Sequence, residues 1–211
     1  MPTPQAFTGM TNGIFTPPPP QNEPVLTYAP GSEEKQLLKS SLADFSCRET
    51  EVCIRIGDEA VKTGDLGEIR IVQAEYPQDW LTAPMENEGV KQAEWRTDPE
   101  RSGAGGSVGD IGTHAHNLAC FVSGLQVESI AADLQSWGKG RKLDDNAHMM
   151  LRFAGGARGM LWSSQVAPGN ENALKLRVYG EKGGLEWSQE DPNYLWFTPV
   201  GEPKRLITRN A

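Results

Sequence analysis

From Gly67 to the carboxyl end of the chain, apolar and polar residues alternate in short runs. This is the pattern of strands that bury one face, and the run IRIVQAEY is its clearest example. Glycine, proline, asparagine or aspartate separates most of the runs, and such short turns favour antiparallel pairing. The predicted strands are Ile69–Tyr76, Val127–Leu134, His148–Phe153, Gly159–Gln165, Leu174–Tyr179, Gly184–Trp187, Leu195–Thr198 and Leu206–Thr208.

A long excursion, Pro77–Gly124, lies between the first two predicted strands and ends in a helix from about Ile111 to Val122. At helical spacing one stripe of this segment is apolar, while a polar flank carries Asp110, His114 and Asn117. The chain therefore predicts an α+β fold, with an open, mostly antiparallel or mixed sheet and helices on one face.

The front of the chain predicts much less structure. Residues 1–22 contain the proline run Pro17–Pro20, which cannot donate backbone hydrogen bonds, so we expect an extended arm. Ser32 is placed to cap a short helix through Leu42, and Cys53–Val61 predicts a hairpin with Gly-Asp-Glu in its turn. We therefore divide the chain into an arm, residues 1–63, and a domain, residues 64–211.

Charge narrows the classes of partner. The net charge of -8 and the pI near 5.0 disfavour nucleic acid and anionic membrane surfaces. The sequence has no apolar run of membrane-spanning length and no secretory signal, so we expect a cytoplasmic protein. Cys47, Cys53 and Cys120 form no C-x-x-C pair or zinc spacing, which predicts reduced thiols.

The densest polar cluster is Gly109–Asn117 (GDIGTHAHN), at a loop-to-helix entry. An aspartate four residues before a histidine can hydrogen-bond the imidazole and fix its tautomer, as a general acid or base requires. Asp110 and His114 are therefore the catalytic candidates. On spacing alone, Asp110 could instead cap the helix beside a structural histidine. We predict no metal site, since the histidines and cysteines lack ligand spacing.

Two further segments precede this cluster. Gly103–Gly106 is glycine-rich but does not follow a strand with G-x-G-x-x-G spacing, so we expect a loop at the edge of the active site and no cofactor-binding residues. Trp95, Arg96 and Asn117 are the substrate-binding candidates, because Arg96 could clamp an anionic or hydroxylated ligand. A surface ion pair with tryptophan packed beneath it explains Arg96 equally well.

Residues 64–209 resemble the carboxy-terminal domain of the Gfo/Idh/MocA oxidoreductases. The helix entry G-D-x-G-x-H is the most specific of the matching segments. These segments are Leu66–Arg70 (LGEIR), Glu75–Trp80 (EYPQDW), Trp95–Pro99 (WRTDP), Gly109–His114 (GDIGTH), Phe153–Gly159 (FAGGARG) and Val178–Gly184 (VYGEKGG).

The resemblance implies an enzyme of two domains, a Rossmann domain that binds NAD or NADP and a sheet domain that shapes a pocket for sugars, inositols or related polyols. It also implies that Asp110 orients and His114 relays a proton, and that the sheet forms a homo-oligomer. The family's Glu-Lys-Pro motif and glycine fingerprint are absent from this sequence. We therefore expect no NAD(P) binding and no turnover by the chain alone.

The front of the chain resembles a different family, the extreme amino terminus of 1-pyrroline-5-carboxylate dehydrogenase. The matching segments are Asn12–Phe15, Asn22–Ser32 and Ile56–Gly64. The two resemblances meet within Thr63–Gly67, which suggests a fused or chimeric gene, and the domain looks truncated at its carboxyl end. Two alternatives stay open: a non-catalytic binding or oligomerisation module, and a chimeric remnant of the aldehyde dehydrogenase.

Overall fold

The computed structural model describes residues 28–47, 54–56, 59–61 and 63–209. The proline-rich arm predicted for residues 1–22 and the thiol of Cys53 lie outside the described residues. The chain divides into two units, Met1–Thr50 and Glu51–Ala211, which we describe separately.

The described part of the first unit is built on helix α1, Glu33–Ser46. The Ser32 hydroxyl accepts a hydrogen bond from the Lys35 amide at 3.3 Å, the capping arrangement that its position predicts. The helix continues one turn past the predicted end at Leu42. All of its large apolar side chains are exposed, namely Leu37, Leu38, Leu42 and Phe45.

The second unit opens with the predicted hairpin, formed by strands β1 (Ile54–Ile56) and β2 (Glu59–Val61). Our placement of Glu59 in its turn was wrong. Glu59 is the first residue of β2 and pairs with Ile56, so the connection is two residues long, the commonest hairpin length.

Eight strands form one sheet, and each agrees with a predicted strand to within a few residues. Their spatial order is β10-β9-β8-β7-β3-β6-β5-β4, so β3, the first of them in sequence, lies inside the sheet. The strands are β3 (Ile69–Pro77), β4 (Val127–Gln135), β5 (Asn146–Phe153), β6 (Arg158–Ser164), β7 (Lys175–Gly180), β8 (Gly183–Ser188), β9 (Tyr194–Pro199) and β10 (Arg205–Thr208).

Neighbouring strands pair antiparallel, with the exception of β3 and β6, which run parallel in register from Ile71 opposite Arg158 to Pro77 opposite Ser164. The sheet is thus open and mixed, as predicted. Because β3 and β6 run the same way, the carboxyl ends of both strands meet at one edge of the sheet. The segments that follow these two strands therefore lie close together.

The long connection from β3 to β4 contains helices α2 (Lys91–Arg96), α3 (Pro99–Ser102) and α4 (Thr113–Ser123). A single π-helical turn, Val108–Gly112, runs directly into α4. Gly124 ends α4 in the left-handed region at φ 71°, where glycine avoids the steric cost that a Cβ would bring. None of the helices in the described part of the chain is both long and apolar enough to cross a bilayer.

Helix α4 covers one face of the sheet, contacting β3, β7 and β6. The period-2 alternation buries Val72, Ala74 and Tyr76 of β3 against this helix, and Leu151 and Phe153 of β5 join the same core. Each large aliphatic or aromatic side chain buried in this way stabilises the fold by roughly 1.5–3 kcal/mol. The opposite face of the sheet is open and exposes large apolar side chains, including Ile71, Met150 and Met160.

Candidate functional site

A cleft of about 390 Å³ lies where β3 ends and the π-turn leads into α4. It contains one arginine, two carboxylates, two glutamine amides, one imidazole and two aromatic rings. Its lining residues are Tyr76, Gln78, Trp80, Gln92, Arg96, Asp110, Ile111, His114 and Glu171.

The carboxylate of Asp110 is held by two side chains. Its Oδ2 accepts hydrogen bonds from Arg96 Nε at 3.1 Å and from Gln165 Nε2 at 2.8 Å. Gln165 lies just beyond β6 and is only 3% exposed, and its backbone N–H donates to the Asp145 carbonyl. The carboxylate is thus held from two parts of the chain, by Arg96 on α2 and by Gln165 directly after β6.

The predicted hydrogen bond between Asp110 and His114 is absent. Asp110 bonds to Arg96 and Gln165 instead. The two residues still line the same cleft. The imidazole of His114 meets the ring of Tyr76 edge-to-face, with centroids 6.4 Å apart.

Arg96 forms an ion pair with Asp110 and has a tryptophan packed against it, which is the structural alternative that the sequence left open for this residue. Its guanidinium carbon lies 4.4 Å from the centre of the Trp95 ring and 5.8 Å from that of Trp80. Its Nη1 donates to Gln92 Oε1 at 3.3 Å. The ion pair with Asp110 lies inside the cleft, so this structural role and a place in the cleft are compatible.

A second polar cluster lies on the β3 side of the cleft. The Tyr76 hydroxyl donates to Asn172 Oδ1 at 2.6 Å, and Gln78 Nε2 donates to the same oxygen at 2.8 Å. Asn172 therefore fixes both side chains. The Gln78 amide oxygen and the free side of the Tyr76 hydroxyl stay available to a polar ligand.

Two of the substrate-binding candidates lie outside the cleft lining. Asn117 is exposed on α4, almost a full turn beyond His114, and Trp95 touches the cleft only through Arg96. Sequence reasoning missed several residues that do line or support the cleft. They are Gln78 after β3, Gln92 on α2, and Gln165 and Glu171 in the connection from β6 to β7.

Asp110 does not cap the helical entry, because Asp144 does. Asp144 Oδ1 accepts from the Gly106 amide at 2.8 Å, while its Oδ2 accepts from the Val108 amide at 2.8 Å and the Ser107 hydroxyl at 2.9 Å. The amides that an anion would need at this glycine-rich entry are therefore already bonded to a carboxylate. The loop does not fit a dinucleotide pyrophosphate.

His116 points away from the cleft and lies 3.6 Å from Cys120 Sγ. Burial raises the pKa of the Cys120 thiol, although a backbone hydrogen bond from Val127 opposes the shift. A thiol in this state is a poor nucleophile. No group of three or more potential metal ligands occurs among the residues that the structure describes.

Comparison with known proteins decides the family. A sequence model of the GFO/IDH/MocA C-terminal domain matches residues 56–186. The chain belongs to the GFO/IDH/MocA family. It corresponds to the C-terminal domain of these oxidoreductases, and the match begins within the hairpin, somewhat before the start that we predicted at residue 64.

Solved structures agree with this placement. The chain is 59% identical to an oxidoreductase from Sinorhizobium meliloti, with a TM-score of 0.59 over 70% of this chain and 37% of that one. It is 36% identical to an inositol dehydrogenase homolog from Azotobacter vinelandii in complex with NAD+, with a TM-score of 0.67 over 70% of this chain and 38% of that one.

A curated relative is levoglucosan dehydrogenase from Pseudarthrobacter phenanthrenivorans, 25% identical over 69% of this chain and 41% of the relative. The chain spans between 38% and 41% of the length of the curated relatives it matches. None of these comparisons bears on the resemblance of residues 12–64 to 1-pyrroline-5-carboxylate dehydrogenase, which stays a prediction.

Proposed function

We propose that this GFO/IDH/MocA domain is the substrate side of an NAD(P)-dependent oxidoreductase for sugars, inositols or related polyols. The observation that carries the proposal is the cleft in which Arg96, Asp110 and His114 lie beside two glutamine amides and two aromatic rings. Amides bind hydroxyl groups as donors and acceptors, and aromatic rings pack on the C–H faces of sugars. Free thiols at Cys47 and Cys120 suit the cytoplasmic location we propose.

In this proposal His114 is the proton-transfer group. Its imidazole is exposed in the cleft and has no hydrogen-bond partner among the described residues, so both ring nitrogens are available to a substrate hydroxyl. Asp110 is a positioning residue that fixes Arg96 at the cleft wall. Tyr76 and Gln78, held by Asn172, contact the other side of the ligand.

A nicotinamide cofactor would accept the hydride from the carbon whose hydroxyl His114 deprotonates. Hydride transfer requires this ring to be held against the substrate at near-attack distance. At the glycine-rich helix entry, the amides of Gly106 and Val108 that could meet a pyrophosphate donate to Asp144 instead. We propose that a nucleotide-binding domain outside these residues supplies the cofactor, and that the 211-residue chain does not turn over alone.

We expect purified protein to show no saturable tryptophan quenching with NADH or NADPH at micromolar concentrations. The same protein should bind myo-inositol or levoglucosan in the millimolar range, measured by saturation-transfer NMR. Asp110→Ala should weaken polyol binding at least about tenfold, because Arg96 loses its partner. Asp191→Ala, which removes an exposed carboxylate elsewhere, is the matched control. Saturable NADH binding would show that the chain holds its own cofactor site.

We also propose that the open face of the sheet pairs two copies of the chain. A groove of about 530 Å³ crosses this face between β4 and β7 and is lined by apolar side chains such as Met150, Met160 and Trp162. Beside them lie Glu75 and Arg177, joined by an ion pair of 3.2 Å. Exposed apolar patches with a polar rim are typical of oligomer contacts.

Met160→Glu tests this interface. A carboxylate buried between two sheet faces loses its hydration and adds a charge to each copy, so we expect the dissociation constant of the oligomer to rise at least about tenfold. Light scattering coupled to size exclusion gives the mass. Phe121→Glu is the control, because Phe121 is as exposed as Met160, 59% in both cases, but lies on α4. Equal masses for the two variants would contradict the sheet interface.

A further inference from the structure

We infer that the cleft selects uncharged polyols over sugar acids and sugar phosphates, and that Glu171 is the residue that determines this selectivity. The inference rests on the proposed function, since it concerns the ligand of the same cleft. It goes further by excluding the anionic ligands that Arg96 alone would suggest.

The positive charge of Arg96 is already balanced inside the protein. Asp110 accepts from its Nε at 3.1 Å, Gln92 accepts from its Nη1 at 3.3 Å, and the rings of Trp80 and Trp95 lie within 6 Å of its guanidinium carbon. An arginine that recognises a carboxylate or phosphate uses a free fork of two nitrogens. Here Nη2 is the one guanidinium nitrogen that has no hydrogen-bond partner among the residues the structure describes, which suits a single hydroxyl.

Glu171 has no balancing charge. Its carboxylate is exposed at the cleft and makes no hydrogen bond or ion pair with the described residues. Arg96 is the single permanent cation among the lining residues, against the two carboxylates of Asp110 and Glu171. The cleft therefore carries one excess negative charge, which repels an anionic ligand at short range.

The groups left free in the cleft match hydroxyls. The Gln78 amide oxygen and the Gln92 amide nitrogen have no hydrogen-bond partner within the described part of the chain, so one acceptor and one donor stay available to the ligand. Glu171 adds two acceptor oxygens. An uncharged polyol can donate hydroxyl protons to the Gln78 and Glu171 oxygens and accept from the Gln92 amide, whereas an ionised carboxylate or phosphate group has no proton to donate to the Glu171 oxygens.

Competition between ligands tests the inference. At low salt and about pH 8.5, where imidazoles as a class are neutral, saturation-transfer NMR compares myo-inositol and D-glucose with D-glucuronate and D-glucose 6-phosphate. We expect at least about a tenfold weaker affinity for the two anions. Glu171→Gln should narrow this gap several-fold and Glu171→Lys should reverse it, while Glu128→Gln, an exposed carboxylate on β4, should leave it unchanged.

Each outcome decides one claim. Anions that bind the unaltered chain as tightly as the neutral sugars overturn the selectivity but leave the polyol site in place. A gap that persists in Glu171→Gln overturns the role of Glu171. Binding of neither class overturns the proposed substrate site, and this inference with it.

Discussion

Asp145→Ala is expected to lower the free energy of unfolding by about 3 kcal/mol, because it takes one of two carboxylate partners, the other being Glu86, from a buried cation. Asp145 and Arg141 have side chains that are 2% and 3% exposed and are joined by an ion pair of 3.0 Å. The amides of Trp137 and Gly138 also donate to the Asp145 carboxylate, at 2.9 Å and 2.7 Å. Alanine would leave these two amides unsatisfied as well.

Urea denaturation followed by tryptophan fluorescence measures this loss. Asp145→Asn keeps one acceptor oxygen and the volume of the side chain, so we expect it to lose less than the alanine variant. Asp133→Ala is the control, because Asp133 is exposed on β4. A loss below about 1 kcal/mol in Asp145→Ala would show that Glu86 alone is sufficient to hold Arg141.

Glu86 is the second carboxylate bonded to Arg141, and it makes the free energy of unfolding depend on pH. Burial by itself would raise the pKa of Glu86, but hydrogen bonds from Arg141 and from its own backbone amide, with the charge of Arg141, hold that pKa below its ordinary value. The contribution of Glu86 to stability is therefore complete above its unfolded pKa of about 4.3 and is lost as the pH falls through the lower folded value. The free energy of unfolding should therefore fall as the pH is lowered through this range.

The strands were predictable from the sequence because each depends on a local pattern of alternating residues. Val72, Ala74 and Tyr76 alternate with polar neighbours and are buried in the order that this alternation gives. The order of the strands was not predictable in this way. The parallel pairing of β3 with β6 joins segments about 87 residues apart, and no local pattern encodes such a contact.

In the candidate site, too, residues close together in the sequence were predictable and distant ones were not. Asp110 and His114 share one helix entry, so spacing alone brought them together. The partner that holds Asp110 is Gln165, 55 residues away along the chain, and Glu171 reaches the cleft from the loop beyond β6. The Asp110–His114 hydrogen bond was wrongly expected because spacing on a helix does not reveal competing donors. Arg96 and Gln165 are such donors.

Gly106→Ala is expected to cost about 3 kcal/mol of unfolding free energy and to disturb the cleft, because no space exists for a methyl group. A Cβ at Gly106 would lie 1.9 Å from the carbonyl oxygen of Asp144. The contact is with backbone, which cannot rotate away as a side chain does. Relief requires the Gly106 segment to move off Asp144, and this breaks the hydrogen bonds that start the π-turn carrying Asp110.

Gly109→Ala is the matched control, three residues further along the same segment. A Cβ at Gly109 meets no atom within 4 Å, so alanine should be neutral or should stabilise slightly by restricting the unfolded chain. The amide chemical shift of His114, five residues from Gly109, should move in Gly106→Ala and stay in place in Gly109→Ala. Equal stability of the two variants would mean that the entry to α4 tolerates displacement, and that Asp144 does not fix the position of Asp110 in the cleft.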